Sequence, residues 1–207
     1  MKKEAKLKAE REKQALLVNR AVLGDTLAFE ELLKMTYTSA YRLAFTFVKK
    51  PQVADEICQE SYVKAHRALP RFRQEASFKS WLLRIVRNTA LNYLRSYKKT
   101  EELDKEAYRL GYDHLPYLNL EQEQTKALLA KGIEKLPPRQ KQALELRVFE
   151  EMSFKEVAAV MECPFDTAKA NYRHALLTLA KILKKMDASE NKFEEKTAYH
   201  RLREEIL

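Results

Sequence analysis

Arg71, Phe72 and Arg73 set an aromatic ring between two cations in the stretch from Pro70 to Ala76, which has little other reason to expose one. Rings interleaved with bases suit a single strand of nucleic acid, whose bases stack on the ring while the cations meet the phosphates. On composition alone Phe72 serves equally well as a core anchor. Downstream, in SFKSWLLRIVRNTALNYLRSYKK (77–99), Arg84, Arg87, Asn88, Leu91, Arg95 and Lys98 recur at helical spacing, and so do Phe78, Trp81, Leu82, Ile85 and Thr89. One face wants a core; the other suits a polyanion or, in the plainer reading, water. From Arg71 to Lys99 there are eight bases, Lys79 among them, against one acid, a balance of +7 in a chain whose formal net charge is +9. A third set, Lys169, Asn171, Arg173 and His174 with Thr167 just ahead, opens a long helical run where such side chains reach base edges and phosphates.

The opposite charge gathers at Asp55, Glu56, Gln59 and Glu60, a polar face on an otherwise basic chain that reads as a solvated surface or as an interface. Catalytic chemistry finds no footing. His66, His114, His174 and His200 are scattered, no carboxylates stand at metal-ligand spacing, and 3 Gly supply no phosphate-cradling loop. No enzymatic activity, metal or cofactor is therefore expected. Cys58 and Cys163 lack a CxxC partner or flanking ligands, so buried thiols are expected rather than zinc or a disulfide.

The elements that must position these residues are helices. At 207 residues and 45% hydrophobic the chain can bury real cores, and with 6 Pro and no alternating apolar run an all-α fold is predicted. Residues 1–13 suit a solvated helix or a frayed arm. Asp25 reads as the N-cap of a second helix, and Lys50-Pro51 as the turn before a third over 52–69, with Ala54, Ile57, Cys58, Ser61 and Ala65 inward. Ser77 reads as the cap of the fourth. Residues 100–125 carry seven acids against Lys105 and Arg109, with Gly111 and Pro116 interrupting, as in a linker.

Beyond it, Pro137-Pro138 stops a short helix, another follows over Gln140 to Phe149, and Ser153 and Glu156 have capping-box spacing. Asp166 or Thr167 can cap the longer helix whose Leu176, Leu177, Leu179, Ile182 and Leu183 read as packing surface. Two helices joined by about four residues have the layout of a helix-turn-helix, which plain bundles share. The expected plan is two helical domains, 14–99 and 123–186, an acidic linker at 100–122, and an extension at 187–207 without an assigned role. No apolar run reaches the roughly 20 residues of a membrane span, and the N-terminus has no export signal, so the cytoplasm is the expected compartment.

Two segments carry a specific resemblance. ADEICQESYVKAHRALPRFRQEASFKSWLLRIVRNTALNYLRS resembles domain 2 of the bacterial extracytoplasmic function (ECF) sigma factors, group 4 of the sigma-70 family. LPPRQKQALELRVFEEMSFKEVAAVMECPFDTAKANYRHALLTL is similar to their domain 4. The most specific parts are D-E-x-x-Q-E-x-(Y)-V-K-A from Asp55, F-x-S-W-L-x-R-I-x-x-N from Phe78 and L-P-x-R-x-x-x-A from Leu136, in a match running from about residue 14 to 186.

The resemblance implies a non-catalytic subunit that binds core RNA polymerase, directs it to promoters and nucleates melting. Asp55, Glu56, Gln59 and Glu60 fall on the surface that grips the polymerase clamp helices, and the flap of the core is a further implied contact. The Phe72 loop matches the pocket for a base flipped from the non-template strand of the -10 element, and Asn88 a residue that contacts that strand. Trp81 aligns with an aromatic near the upstream edge of the melted region, although it lies on the apolar stripe. The linker resembles the segment threading toward the RNA exit path. An anti-sigma factor is an implied partner that no residue names.

The second domain departs from the family pattern. Asp166 stands for a common Gly, Ala168 for Val, Ala170 for Ser and Asn171 for Arg, while Leu176 and Leu177 replace frequent bases. Fewer cations weaken phosphate anchoring at the duplex -35 element. Glu162 takes a turn position often held by Gly, where left-handed backbone costs a non-Gly residue about 1 kcal/mol. The competing reading is a polymerase-independent helix-turn-helix regulator, which leaves the acidic face and the aromatic-basic loop unexplained.

Overall fold

The computed structural model describes residues 2–97 and 123–190. The expected linker at 100–122 and the extension past residue 190 lie outside the described residues. Within them the chain is helical, with no strand: α1 (Lys2–Val22), α2 (Thr26–Val48), α3 (Pro51–Ala68), a 3-10 turn (Leu69–Arg71), α4 (Phe78–Tyr97), α5 (Glu123–Glu134), α6 (Pro138–Val148), α7 (Phe154–Met161) and α8 (Phe165–Glu190). Contacts divide the chain into two compact units: α1 to α4 belong to the first, and α5, α6 and α8 to the second.

In the first unit, local chemistry sets the helix ends. The Asp25 carboxylate accepts from the Ala28 N–H at 3.0 Å and from Arg20 at 2.7 Å. These two bonds, the backbone one first, hold its pKa below the ordinary carboxyl value. Lys49 closes α2 in left-handed backbone (φ 57°), and Pro51, with no N–H to lose, opens α3. Ser77 accepts from the Ser80 N–H at 3.2 Å and caps α4, as its position predicts.

The core follows from side-chain size. Ala54, Ile57, Cys58, Ser61 and Ala65 are each at most 1% exposed and form the inward stripe expected of α3. They meet α2 and α4, which also pack on each other. On α4 the buried set is Phe78, Ser80, Leu82, Leu83, Val86, Thr89 and Ala90, whereas Trp81 and Ile85 are half-buried. This corrects the expected stripe: with two helices against it, α4 buries a wider arc, centred one position round on Leu82 and Val86.

In the second unit α8 is the axis, packing on α6 and α5. Its buried seam is Ala168, Tyr172, Ala175 and Leu179, spaced by three or four residues. The α5 backbone approaches so closely at Gly132 that a Cβ there would stand 2.9 Å from Leu179 Cδ1. Three expectations shift. Pro138 begins α6 two residues before Gln140, since a fixed φ suits the first helical position. The longest helix begins at Phe165, so Asp166 lies inside its first turn and the Pro164 carbonyl accepts the Ala168 N–H at 3.1 Å. Leu177 is 52% exposed rather than packed.

The entry to α7 is the predicted capping box. Glu156 N–H donates to Ser153 Oγ at 3.3 Å, and the Glu156 carboxylate accepts from the Ser153 N–H at 2.9 Å. Beneath it, the Phe154 ring meets Tyr172 edge-on at 5.4 Å and carries the Arg147 guanidinium at 5.0 Å. Ser153→Ala should therefore cost the second unit about 1 kcal/mol, read as a lower urea midpoint at unchanged slope.

Candidate functional site

The 3-10 turn after α3 delivers the chain to Phe72, whose N–H donates to the Leu69 carbonyl at 3.0 Å. Its ring stacks on Trp81 with centroids 4.7 Å apart and planes 29° off parallel, and meets buried Phe78 edge-on at 6.3 Å. Phe72 and Trp81 are both half-buried, so each ring is anchored on one side and reachable on another. Arg71 and Arg73 stand exposed beside them. Gln74 adopts φ 57°, and its amide donates to Asn19 of α1 at 2.7 Å, which ties the loop down.

The polar face of α4 continues from this loop. Arg84 and Arg95 are exposed, while Lys79, Arg87 and Asn88 are half-buried. Arg87 donates to Asn88 Oδ1 at 3.2 Å, an arrangement that presets the amide. Arg95 donates to Asn92 Oδ1 at the same distance.

On α3, Glu56, Gln59 and Glu60 are exposed and Asp55 is half-buried. The Tyr37 phenol on α2 donates to Asp55 at 2.7 Å. That bond, reinforced by burial and by the carboxylate charge, pushes the phenol pKa up to about 12. Glu60 pairs with Lys64 at 2.6 Å, and Lys64 in turn donates to Thr89 Oγ1 at 3.2 Å. Val63 lies on the same helix, 50% exposed. Sequence reading missed both Tyr37 and Val63. The signal for Tyr37 was its place one residue past the buried Thr36, outside the apolar pattern of α2.

Toward the C-terminus α7, a short turn and α8 form the helix-turn-helix. Glu162 holds the left-handed turn position at φ 49°, as its place predicts. Lys169, Arg173 and His174 are exposed; Thr167 and Asn171 are half-buried, with the Asn171 amide donating to the Thr167 carbonyl at 2.9 Å. Phe165, absent from the sequence-based set, is exposed at the helix start with Lys169 Nζ 5.6 Å from its ring centre.

Among the described residues no group of His, Cys, Asp and Glu could hold a metal, and no helix is long and apolar enough to cross a membrane. The described residues present two basic helical surfaces and one acidic one.

Comparison with known proteins identifies the family. Residues 29–100 match the family model of Sigma-70 region 2, and residues 126–179 that of Sigma-70, region 4. The RNA polymerase sigma-H factor of Pseudomonas aeruginosa is 32% identical over 182 residues, covering 83% of this chain and 94% of that protein. The chain belongs to the ECF sigma factors of the sigma-70 family. The ECF RNA polymerase sigma-E factor of Escherichia coli K12 is likewise 32% identical, across 75% of the chain and 86% of its own length. The fold recurs in CnrH, solved with the cytosolic domain of CnrY (TM-score 0.62, 21% identity, 84% of this chain and 98% of that one). It recurs also in RpoE of Bartonella quintana, solved with the anti-sigma factor NepR (TM-score 0.62, 21% identity, 75% and 96%). This sigma factor binds core RNA polymerase, directs it to specific promoters and nucleates their melting.

The Tyr37–Asp55 bond is directly measurable. In Asp55→Asn the sigma factor loses the carboxylate that favours the neutral phenol, so the Tyr37 pKa should fall from about 12 toward 10. Tyrosine-selective NMR titration reads this; an unchanged Tyr37 titration would count against the bond.

Proposed function

We propose that the sigma factor divides its work among three surfaces. The outward face of α3, with Asp55, Glu56, Gln59 and Glu60, binds the clamp helices of core polymerase, and the second unit meets the flap. The start of α8, with Thr167, Lys169, Asn171, Arg173 and His174, anchors the complex on duplex -35 DNA. The Phe72 loop and the polar face of α4 hold the melted non-template strand of the -10 element. Phe72, Trp81 and Asn88 receive unstacked bases; Arg73, Lys79, Arg84, Arg87 and Arg95 meet phosphates.

The observation that carries this reading is the Phe72–Trp81 stack beside the Arg87–Asn88 pair. A half-buried aromatic step and a preset amide suit an extruded base, since stacking and edge hydrogen bonds offset the few kcal/mol of unpairing. Melting then needs no catalytic side chain, and the sigma factor is read as a non-enzymatic subunit acting in the cytoplasm with the polymerase. An anti-sigma partner is carried over from RpoE of Bartonella quintana, which was solved with NepR. The acidic linker between the domains is read as threading toward the RNA exit path.

Run-off transcription by purified core polymerase across a genomic promoter library tests the whole reading. Transcripts that depend on the added chain are expected; none would favour the polymerase-independent regulator. With that activity in hand, Phe72→Ala and Asn88→Ala should reduce permanganate reactivity of the -10 region about tenfold while leaving closed-complex binding within about twofold, the loss of one stacked or hydrogen-bonded base. The native footprint in both variants would remove the strand-holding role. Trp81 is the only tryptophan, so its emission should also respond to single-stranded -10 DNA. On the acidic side, Asp55→Lys with Gln59→Lys should abolish pull-down of core enzyme; undiminished capture would count against that interface.

A further inference from the structure

Phe165 is an apolar ring that folding leaves in water. It is the first residue of α8 and is 44% exposed, although Phe154 and Tyr172, which could shelter an aromatic, lie close by. Phe154 touches it only edge-on, with centroids 6.4 Å apart, while keeping its closer contact for buried Tyr172. The Lys169 ammonium stands 5.6 Å from its ring centre. An edge contact and a cation thus neighbour a ring that stays exposed. Positions 165, 169 and 173 follow one another at four-residue intervals, so ring, Lys169 and Arg173 share a stripe. Lys169 and Arg173 are themselves exposed.

A recognition helix enters the major groove with its first turns. There the cations find phosphates and guanine edges, but a phenyl ring has no hydrogen bond to offer. The apolar group the major groove displays is the 5-methyl of thymine, and phenylalanine is among the side chains that contact it. We infer that Phe165 is a specificity residue of α8, packing on a thymine methyl in the upstream promoter element. The inference rests on the assignment of α8 to that element and adds a base preference to it.

Replacing thymine by uracil removes the methyl and nothing else. Holoenzyme made from the full chain and core polymerase is to be titrated with promoter duplexes in which each upstream thymine is replaced by deoxyuridine, one at a time. At one position affinity should fall about fourfold, the worth of one buried methyl group. Holoenzyme carrying Phe165→Ala should bind the thymine duplex more weakly and the thymine and uracil duplexes equally, whereas Phe165→Leu should keep part of the preference. Equal native binding to every uracil-substituted duplex overturns the inference, and so does a Phe165→Ala protein that still prefers thymine at the same position. If the alanine variant fails to fold, Phe165→Leu serves in its place, and an unchanged thymine preference in that variant overturns the inference. A duplex with the whole upstream element scrambled separates the two levels. If scrambling weakens native binding and uracil does not, only the role of Phe165 fails; if scrambling has no effect, the assignment of α8 fails with it.

Discussion

The inward stripe of α3 is the constraint on which the first unit depends. Ala54, Cys58, Ser61 and Ala65 present almost no side-chain volume, and Ala40 and Ala44 of α2 are equally small and fully buried. Small residues bring helix backbones close, which leaves α3 little freedom to roll between α2 and α4. Once that roll is fixed, helical period alone turns Glu56, Gln59, Glu60 and Val63 outward. The Thr36 hydroxyl, caught near the seam, is satisfied locally by the Leu32 carbonyl at 2.7 Å, whereas the buried Ser61 hydroxyl finds no partner among the described residues. A larger side chain at Ala54 or Ala65 would act by rotating the acidic surface, without touching it.

Order in the aromatic loop has a different origin. Pro70 and the 3-10 turn end α3, and the chain then depends on ring contacts and on the Gln74–Asn19 bond rather than on helix hydrogen bonds. Stacking against Trp81 holds Phe72 without burying it. A ring needed for binding must be ordered beforehand, or its ordering entropy is subtracted from affinity. The half-burial of Phe72 and Trp81 joins the two readings that the sequence set against each other, since each ring is both anchor and surface.

Local rules read well from the sequence because they are local. The Asp25 and Ser77 caps and the Ser153–Glu156 box each follow from a few neighbouring residues, and the α3 stripe follows from spacing, whereas the left-handed turn at Glu162 is implied by the family resemblance. What escaped depends on how many partners a helix has. The burial of Leu83, Val86 and Ala90 in place of Trp81 and Ile85 reflects two helices packing on α4, which one-dimensional periodicity cannot count. Tyr37 escaped because its relation to Asp55 spans 18 positions and two helices. Phe165 escaped because its position reads as part of the connection between two helices, whereas it is the first residue of α8. Leu177 was misjudged likewise, its apolar character standing for a contact that α8 does not make.

The two cysteines differ in a way that has practical use. Cys58 is buried in the α3 seam, and burial, with the nearby Asp55 charge, pushes its thiol up to about 12, so that almost no thiolate forms near neutrality. Cys163, in the turn of the helix-turn-helix, is only half-buried and carries no disulfide. An alkylating dye should discriminate between them and attach at Cys163 alone, in the native sequence. The first unit holds Trp81 and the second would then hold an acceptor beside the recognition helix. The chain thus comes with its own donor and labelling point for measuring, by energy transfer, the distance between its two units.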